Sequence, residues 1–120
     1  MNHEMKLNVE AFEGVKSGLQ KYEARLLDEK RSSISVGDTI TFYKLPELTE
    51  KISVSVVRII KAKNFEKLFL LFPTTDANWP SNYSSDDCAR DMLRYYSLED
   101  QERLGVIAFE IALNKVNNKK

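Results

Sequence analysis

Between Ile52 and Ile60 the chain places six β-branched residues in nine positions: Ile52, Val54, Val56, Val57, Ile59 and Ile60. Branching at Cβ restricts χ1 and crowds a helical turn, yet it packs well on a pleated surface. The segment therefore predicts a long central strand. Four other segments read as strands. His3 to Asn8 opens the chain as a short one. Lys21 to Leu26 alternates, with Tyr22, Ala24 and Leu26 toward the core and Lys21, Glu23 and Arg25 on the other face. Thr39 to Leu45 follows the turn signal Val36-Gly37-Asp38, alternates through Ile40 and Phe42, and is interrupted at Pro46. Val106 to Leu113 closes the fold, with Ile107, Phe109, Ile111 and Leu113 as its buried side.

Helices fill the gaps. Val9, Phe12, Val15 and Leu19 recur at helical spacing, and Gly18 suits the left-handed residue that ends a helix. Asn64 is placed to cap a helix through Phe65, Leu68, Phe69 and Phe72, which Pro73 ends. Thr74 to Tyr83 reads as a loop. Ser84 with Asp87 resembles a capping box, ahead of a helix with Ala89, Met92, Leu93 and Tyr96 on one face. Ser97 with Asp100 repeats the signal, and Gly105 ends that helix. Asp28 to Ser33 is a loop or a short helical turn. The strands lack regular crossover helices, which argues against a doubly wound parallel sheet. The expected class is α+β: an antiparallel or mixed sheet of about five strands, curled toward a barrel, with peripheral helices.

The chain has 120 residues, 42% of them hydrophobic and 30% charged, which fits one globular domain over residues 1–113 and argues against disorder. Residues 114–120 read as a disordered basic tail. The longest dense apolar run, Leu68 to Phe72, is far too short to cross a bilayer, and no signal peptide is visible, so no membrane partner is expected. A lone cysteine, Cys88, cannot form an internal disulfide, and the expected compartment is the cytoplasm. Cys88 is either a thiol activated early in a capped helix or a structural one. His3 is the only histidine, so neither a zinc site nor a histidine-based triad is expected, and no cofactor motif is present.

The formal net charge is zero, which speaks against indiscriminate nucleic-acid binding. The charge is uneven, however. Lys51, Arg58, Lys61, Lys63 and Lys67 cluster against the single acid Glu66, while Asp76 to Glu102 is acidic. Lys21, Glu23 and Arg25, three charges at period two, form either a solvated face with cross-strand ion pairs or the wall of a polar cleft. In a cleft, a desolvated lysine can act as a base, a carboxylate can accept hydrogen bonds from a nucleobase edge, and an arginine can grip phosphate. Trp79, Tyr83, Tyr95 and Tyr96 could stack on bases if they rim that cleft, although Tyr96 lies on an apolar helix face.

Several segments, in order, resemble the ASCH domain. Gly18, Glu23 and Arg25 sit where that family has its Gly-x-Lys-x-x-Glu-x-Arg signature. Leu26-Leu27-Asp28-Glu29-Lys30-Arg31 is similar to its continuation in many bacterial members. Val36 to Phe42, Phe65, Tyr95-Tyr96-Ser97, Glu102 and Gly105 to Ala108 match later features. The resemblance runs from Met5 to Leu113. It implies a PUA-like β-barrel with a cleft proposed to bind RNA. In some small members it implies hydrolysis of N4-acetylcytidine by a lysine, a threonine and a glutamate, and in another branch cleavage of RNA. This chain departs from the signature: Gln20 stands at the lysine position, Lys21 comes one residue later, and Glu23 stands where the hydrolases have threonine.

The leading expectation is a module that binds RNA or a modified nucleoside through Gln20, Lys21, Glu23, Arg25, Asp28, Lys30, Arg31, Tyr95 and Ser97. Arg25 with Lys30 or Arg31 would take phosphate, and Glu23 and Ser97 would read polar edges. Arg25 is expected to do this without a role in folding. The alternatives are an amidohydrolase with Lys21 as base and Glu23 assisting, a ribonuclease, and a protein adaptor that uses the acidic stretch.

Overall fold

A computed structural model describes residues Met1–Asn114. Its elements are β1 (Asn2–Leu7), α1 (Val9–Lys16), β2 (Tyr22–Leu26), α2 (Glu29–Ser32), β3 (Thr39–Lys44), β4 (Lys51–Ala62), α3 (Phe65–Leu68), a 3-10 turn (Thr74–Ala77), α4 (Ser85–Met92), α5 (Leu98–Leu104) and β5 (Val106–Leu113). The five strands form one mixed sheet in the order β1-β3-β4-β5-β2. β1 runs parallel to β3, and every other pairing is antiparallel. The β-branched run is indeed the central strand.

β4 serves two cores because its register shifts between Val56 and Arg58. Val57 is 49% exposed at this bulge. An inserted residue inverts the inward parity of the residues beyond it. Val54 and Val56 therefore face the first core before the bulge and Ile59 faces it after, while Ile60 and Ala62 pack on the second. The first core joins Met5, Leu7, Ile40, Phe42, Ile107, Phe109 and Ile111 to Phe12 and Val15 of α1. The second sets Tyr22, Val106 and Ala108 against Phe65, Leu68, Phe69, Phe72, Cys88 and Met92. Neighbouring residues of β5 thus enter opposite cores. The expectation of one buried side was too simple for Val106–Phe109, and Leu113, expected inside, is 45% exposed.

Local capping forms as read. Asn64 accepts from the Lys67 amide, Ser84 and Asp87 close a full capping box, and Ser97 accepts from the Asp100 amide. Three helices stop earlier than expected. α4 ends at Met92, so Leu93, expected on its apolar face, is 43% exposed. α1 ends at Lys16, and Gly18 at φ 84° turns the chain away, leaving Leu19 70% exposed. α3 ends at Leu68, so Leu70 and Leu71 face outward while Phe69 and Phe72 remain buried. Asn114, assigned to the tail from sequence, is held on β4: its amide donates to the Ser53 carbonyl and its Oδ1 accepts from the Ser55 hydroxyl. The remainder of the expected tail, 115–120, lies outside the described residues. Among the described residues, no helix is long and apolar enough to cross a membrane.

The sheet curls into a half-barrel, so its two edge strands approach each other. Arg25 of β2 spans the seam, its Nη2 donating to the Lys6 carbonyl of β1 at 2.8 Å.

Candidate functional site

Glu23 is 8% exposed, a position where a carboxylate needs hydrogen-bond partners. Both of its oxygens have them. Gln20 Nε2 donates to Oε1 at 2.7 Å, and Arg25 Nε donates to Oε2 at 2.8 Å. Gln20 also donates to the Tyr22 carbonyl, which fixes its amide. Burial pulls the Arg25 guanidinium down, but the charge and hydrogen bond of Glu23 outweigh it and hold the group above its ordinary value. Three residues thus form a polar floor on the seam.

Gln20 reaches this floor because Gly14 lets it. The Gln20 amide donates to the Gly14 carbonyl at 2.9 Å. A Cβ on Gly14 would lie 3.2 Å from Gln20 Cβ and Oε1, and 2.9 Å from Asn78 Nδ2. Lys21 does not join the floor. It precedes β2, its amide donates to the Asp76 carbonyl, its carbonyl accepts from the Ile111 amide, and its side chain is exposed. The period-two face therefore begins only at Glu23, and Lys21, expected as a base, is not among the residues that line the cavity beside it.

A cavity of about 590 Å³ opens on this floor. Asn8, Glu10 and Ala11 at the start of α1 line it, together with Trp79, Tyr83, Tyr95 and Tyr96. The rings are ordered. Trp79 and Tyr83 stack with centroids 6.0 Å apart at 22°, and Phe69 meets Trp79 edge-on. Tyr96 stacks on buried Phe65, so it serves the core and the cavity wall together. The guanidinium of Arg94 covers the Tyr95 ring at 5.3 Å. Aromatic faces beside a fixed carboxylate suit a flat, hydrogen-bonding ligand.

A second cavity of about 570 Å³ adjoins the first, and Lys6 and Arg25 line both. Lys30 and Arg31 line only the second. Of the residues singled out from sequence, Gln20, Glu23, Arg25 and Tyr95 border the first cavity, and Arg25, Lys30 and Arg31 border the second. Asp28 and Ser97 border neither. They cap α2 and α5, and Asp28 also holds Arg31 Nη1 at 2.9 Å. The basic cluster expected from Lys51 to Lys67 contributes nothing to either lining. Its Arg58 is tied to Glu110 and the Tyr22 hydroxyl. Cys88 is a structural thiol: burial pushes its pKa up, and the side chain lies in the second core. Among the described residues, no group of three His, Cys, Asp or Glu side chains could hold a metal ion.

Sequence reasoning missed Lys6, Gly14 and Asn78. Only Gly14 left a signal, a glycine inside a helical pattern, which costs helix stability unless something needs the space.

No protein-family model matches the chain, and no curated protein does. Solved structures do. The hypothetical protein PH0355 shares 30% identity at a TM-score of 0.83, over 95% of this chain and 100% of that one. Protein PF0455 from Pyrococcus furiosus shares 30% identity at 0.74, over 97% and 100%. An ASCH protein from Zymomonas mobilis superposes at 0.61 with 15% identity, over 91% of this chain and 65% of its own. The chain belongs to the family of PH0355 and PF0455, and it shares the fold of the ASCH protein. The ASCH-like fold accounts for the curled mixed sheet and for a seam between its edge strands.

Proposed function

We propose that this ASCH-like domain binds a nucleobase, free as a nucleoside or within RNA, in the aromatic cavity on the β1–β2 seam. The carrying observation is the Glu23 carboxylate, pinned by Gln20 and Arg25 on the floor of a cavity walled by aromatic rings. A carboxylate offers only acceptors, so it selects base edges that present N–H donors. The rings supply faces for stacking, which adds affinity without demanding one base. The reading stops at binding. Gln20 occupies the place where the resemblance puts a lysine, and an amide cannot serve as a base.

Trp79 lines the cavity, so its fluorescence reports occupancy. Titration with the four common nucleosides and short RNAs is expected to quench or shift it. Glu23→Gln keeps the side chain's shape but exchanges an acceptor for a donor, and it is expected to weaken binding about tenfold or more. A wild-type protein that binds none of these ligands refutes the proposal.

A further inference from the structure

The second cavity differs in chemistry from the first. Four cationic side chains, Lys6, Arg25, Lys30 and Arg31, line it against one carboxylate, Glu4, whose Oε2 accepts from the Tyr43 hydroxyl at 2.9 Å. Glu23 and Asp28 offset Arg25 and Arg31 from outside the lining. Lys6 and Lys30 form no ion pair among the described residues, and both are exposed. Arg31 Nε is buried and has no hydrogen-bond partner, an expensive condition for a charged donor. Arg25 already spends Nε on Glu23 and Nη2 on the Lys6 carbonyl, so its guanidinium stands at the boundary of the two cavities.

We infer that this basic cavity is a phosphate subsite, so that the ligand is a nucleotide whose base occupies the aromatic cavity and whose phosphate meets Lys6, Lys30 and Arg31. The inference rests on the nucleobase reading above. Phosphate oxygens accept from ammonium and guanidinium donors together, and such charge-assisted bonds are stronger than neutral ones. The shared chemistry has two sources, a terminal phosphate monoester or the phosphodiester of an RNA strand.

The test compares binding of nucleosides, their 5′- and 3′-monophosphates, and dinucleotides by calorimetry. For the nucleoside that binds, a monophosphate is expected to bind about tenfold tighter or more. Lys30→Glu, an exposed change, and Arg31→Lys, which keeps charge but loses the fork, are each expected to reduce that gain while leaving nucleoside affinity unchanged. A dinucleotide that matches or exceeds the monophosphates identifies the phosphodiester, whereas a weaker one identifies the monoester. Equal affinity for nucleoside and nucleotides in the wild-type protein overturns the subsite. Inorganic phosphate, tracked through the backbone amide signals of Lys30 and Arg31, separates the two readings. Saturable shifts without nucleoside binding sink the nucleobase reading and keep the subsite, and no response to either probe sinks both.

Discussion

Two carboxylates fasten β1, and they do so on opposite sides of it. Asp38 accepts from His3 Nε2 of β1 at 2.8 Å, from the Ser35 amide at 3.0 Å and from the N-terminal amine at 3.4 Å. Those contacts lie where β1 pairs with β3, so they reinforce a ladder that already exists. Glu23 acts on the other edge, where there is no ladder. It orients Arg25, and Arg25 alone reaches the Lys6 carbonyl. The donors are similar in number, but neither of the two cavities is lined by Asp38, whereas Glu23 borders one of about 590 Å³. A tethered carboxylate is therefore not in itself a site. What marks Glu23 is that its tether leaves room in front of it.

Removing Arg25 should separate the two cases most sharply. The Arg25 and Glu23 side chains are 14% and 11% exposed, and breaking a buried pair strands the remaining charge. Arg25→Ala is expected to lower unfolding free energy by about 3 kcal/mol and to weaken ligand binding, as read by urea denaturation and titration. This revises the view from sequence that Arg25 serves the ligand alone. A loss of binding with unchanged stability would show that the seam does not depend on it.

Gly14→Ala comes next. The new methyl must displace the Asn78 amide or Gln20. A stability loss of about 1–2 kcal/mol is expected, with a larger proportional loss of ligand affinity than the surface change Lys16→Ala produces. Unaltered affinity would show that Gln20 need not be held for Glu23 to work.

The smallest effect belongs to Asp38, and it depends on pH. The hydrogen bond from His3, helped by the Ser35 amide, lowers its pKa from 3.8 to about 2. A depressed carboxylate stabilises the fold above its unfolded value and loses that contribution as the pH falls toward its folded value. Denaturation midpoints should therefore fall between pH 4 and about 2 in the wild type. Asp38→Asn should flatten this acid slope and leave ligand binding at neutral pH intact. A binding defect in this variant would erase the distinction between the two carboxylates.

The architecture was legible where its causes are local. β-branching marked β4, and the caps at Asn64, Ser84 and Ser97 lie within three residues of the amides they serve. The site was half legible. Glu23 and Arg25 were visible as charges on a strand that had to bury something. Lys21 was misplaced because alternation was extended one residue past the start of β2. The bulge at Val57 and the contact between Arg25 and Lys6 were not legible, since each depends on how distant strands meet. The basic residues that line the second cavity come from β1, β2 and α2, so no window of sequence shows them as a cluster.

The bridged seam also bears on self-association. An open sheet ordinarily offers its outermost strands as templates on which another chain can add, and this is a common route to aggregates. Here the two outermost strands are turned toward each other, and a guanidinium occupies one of the carbonyls that such an intruder would need. The arrangement that shapes the cavity thereby withdraws part of both edges from misassembly.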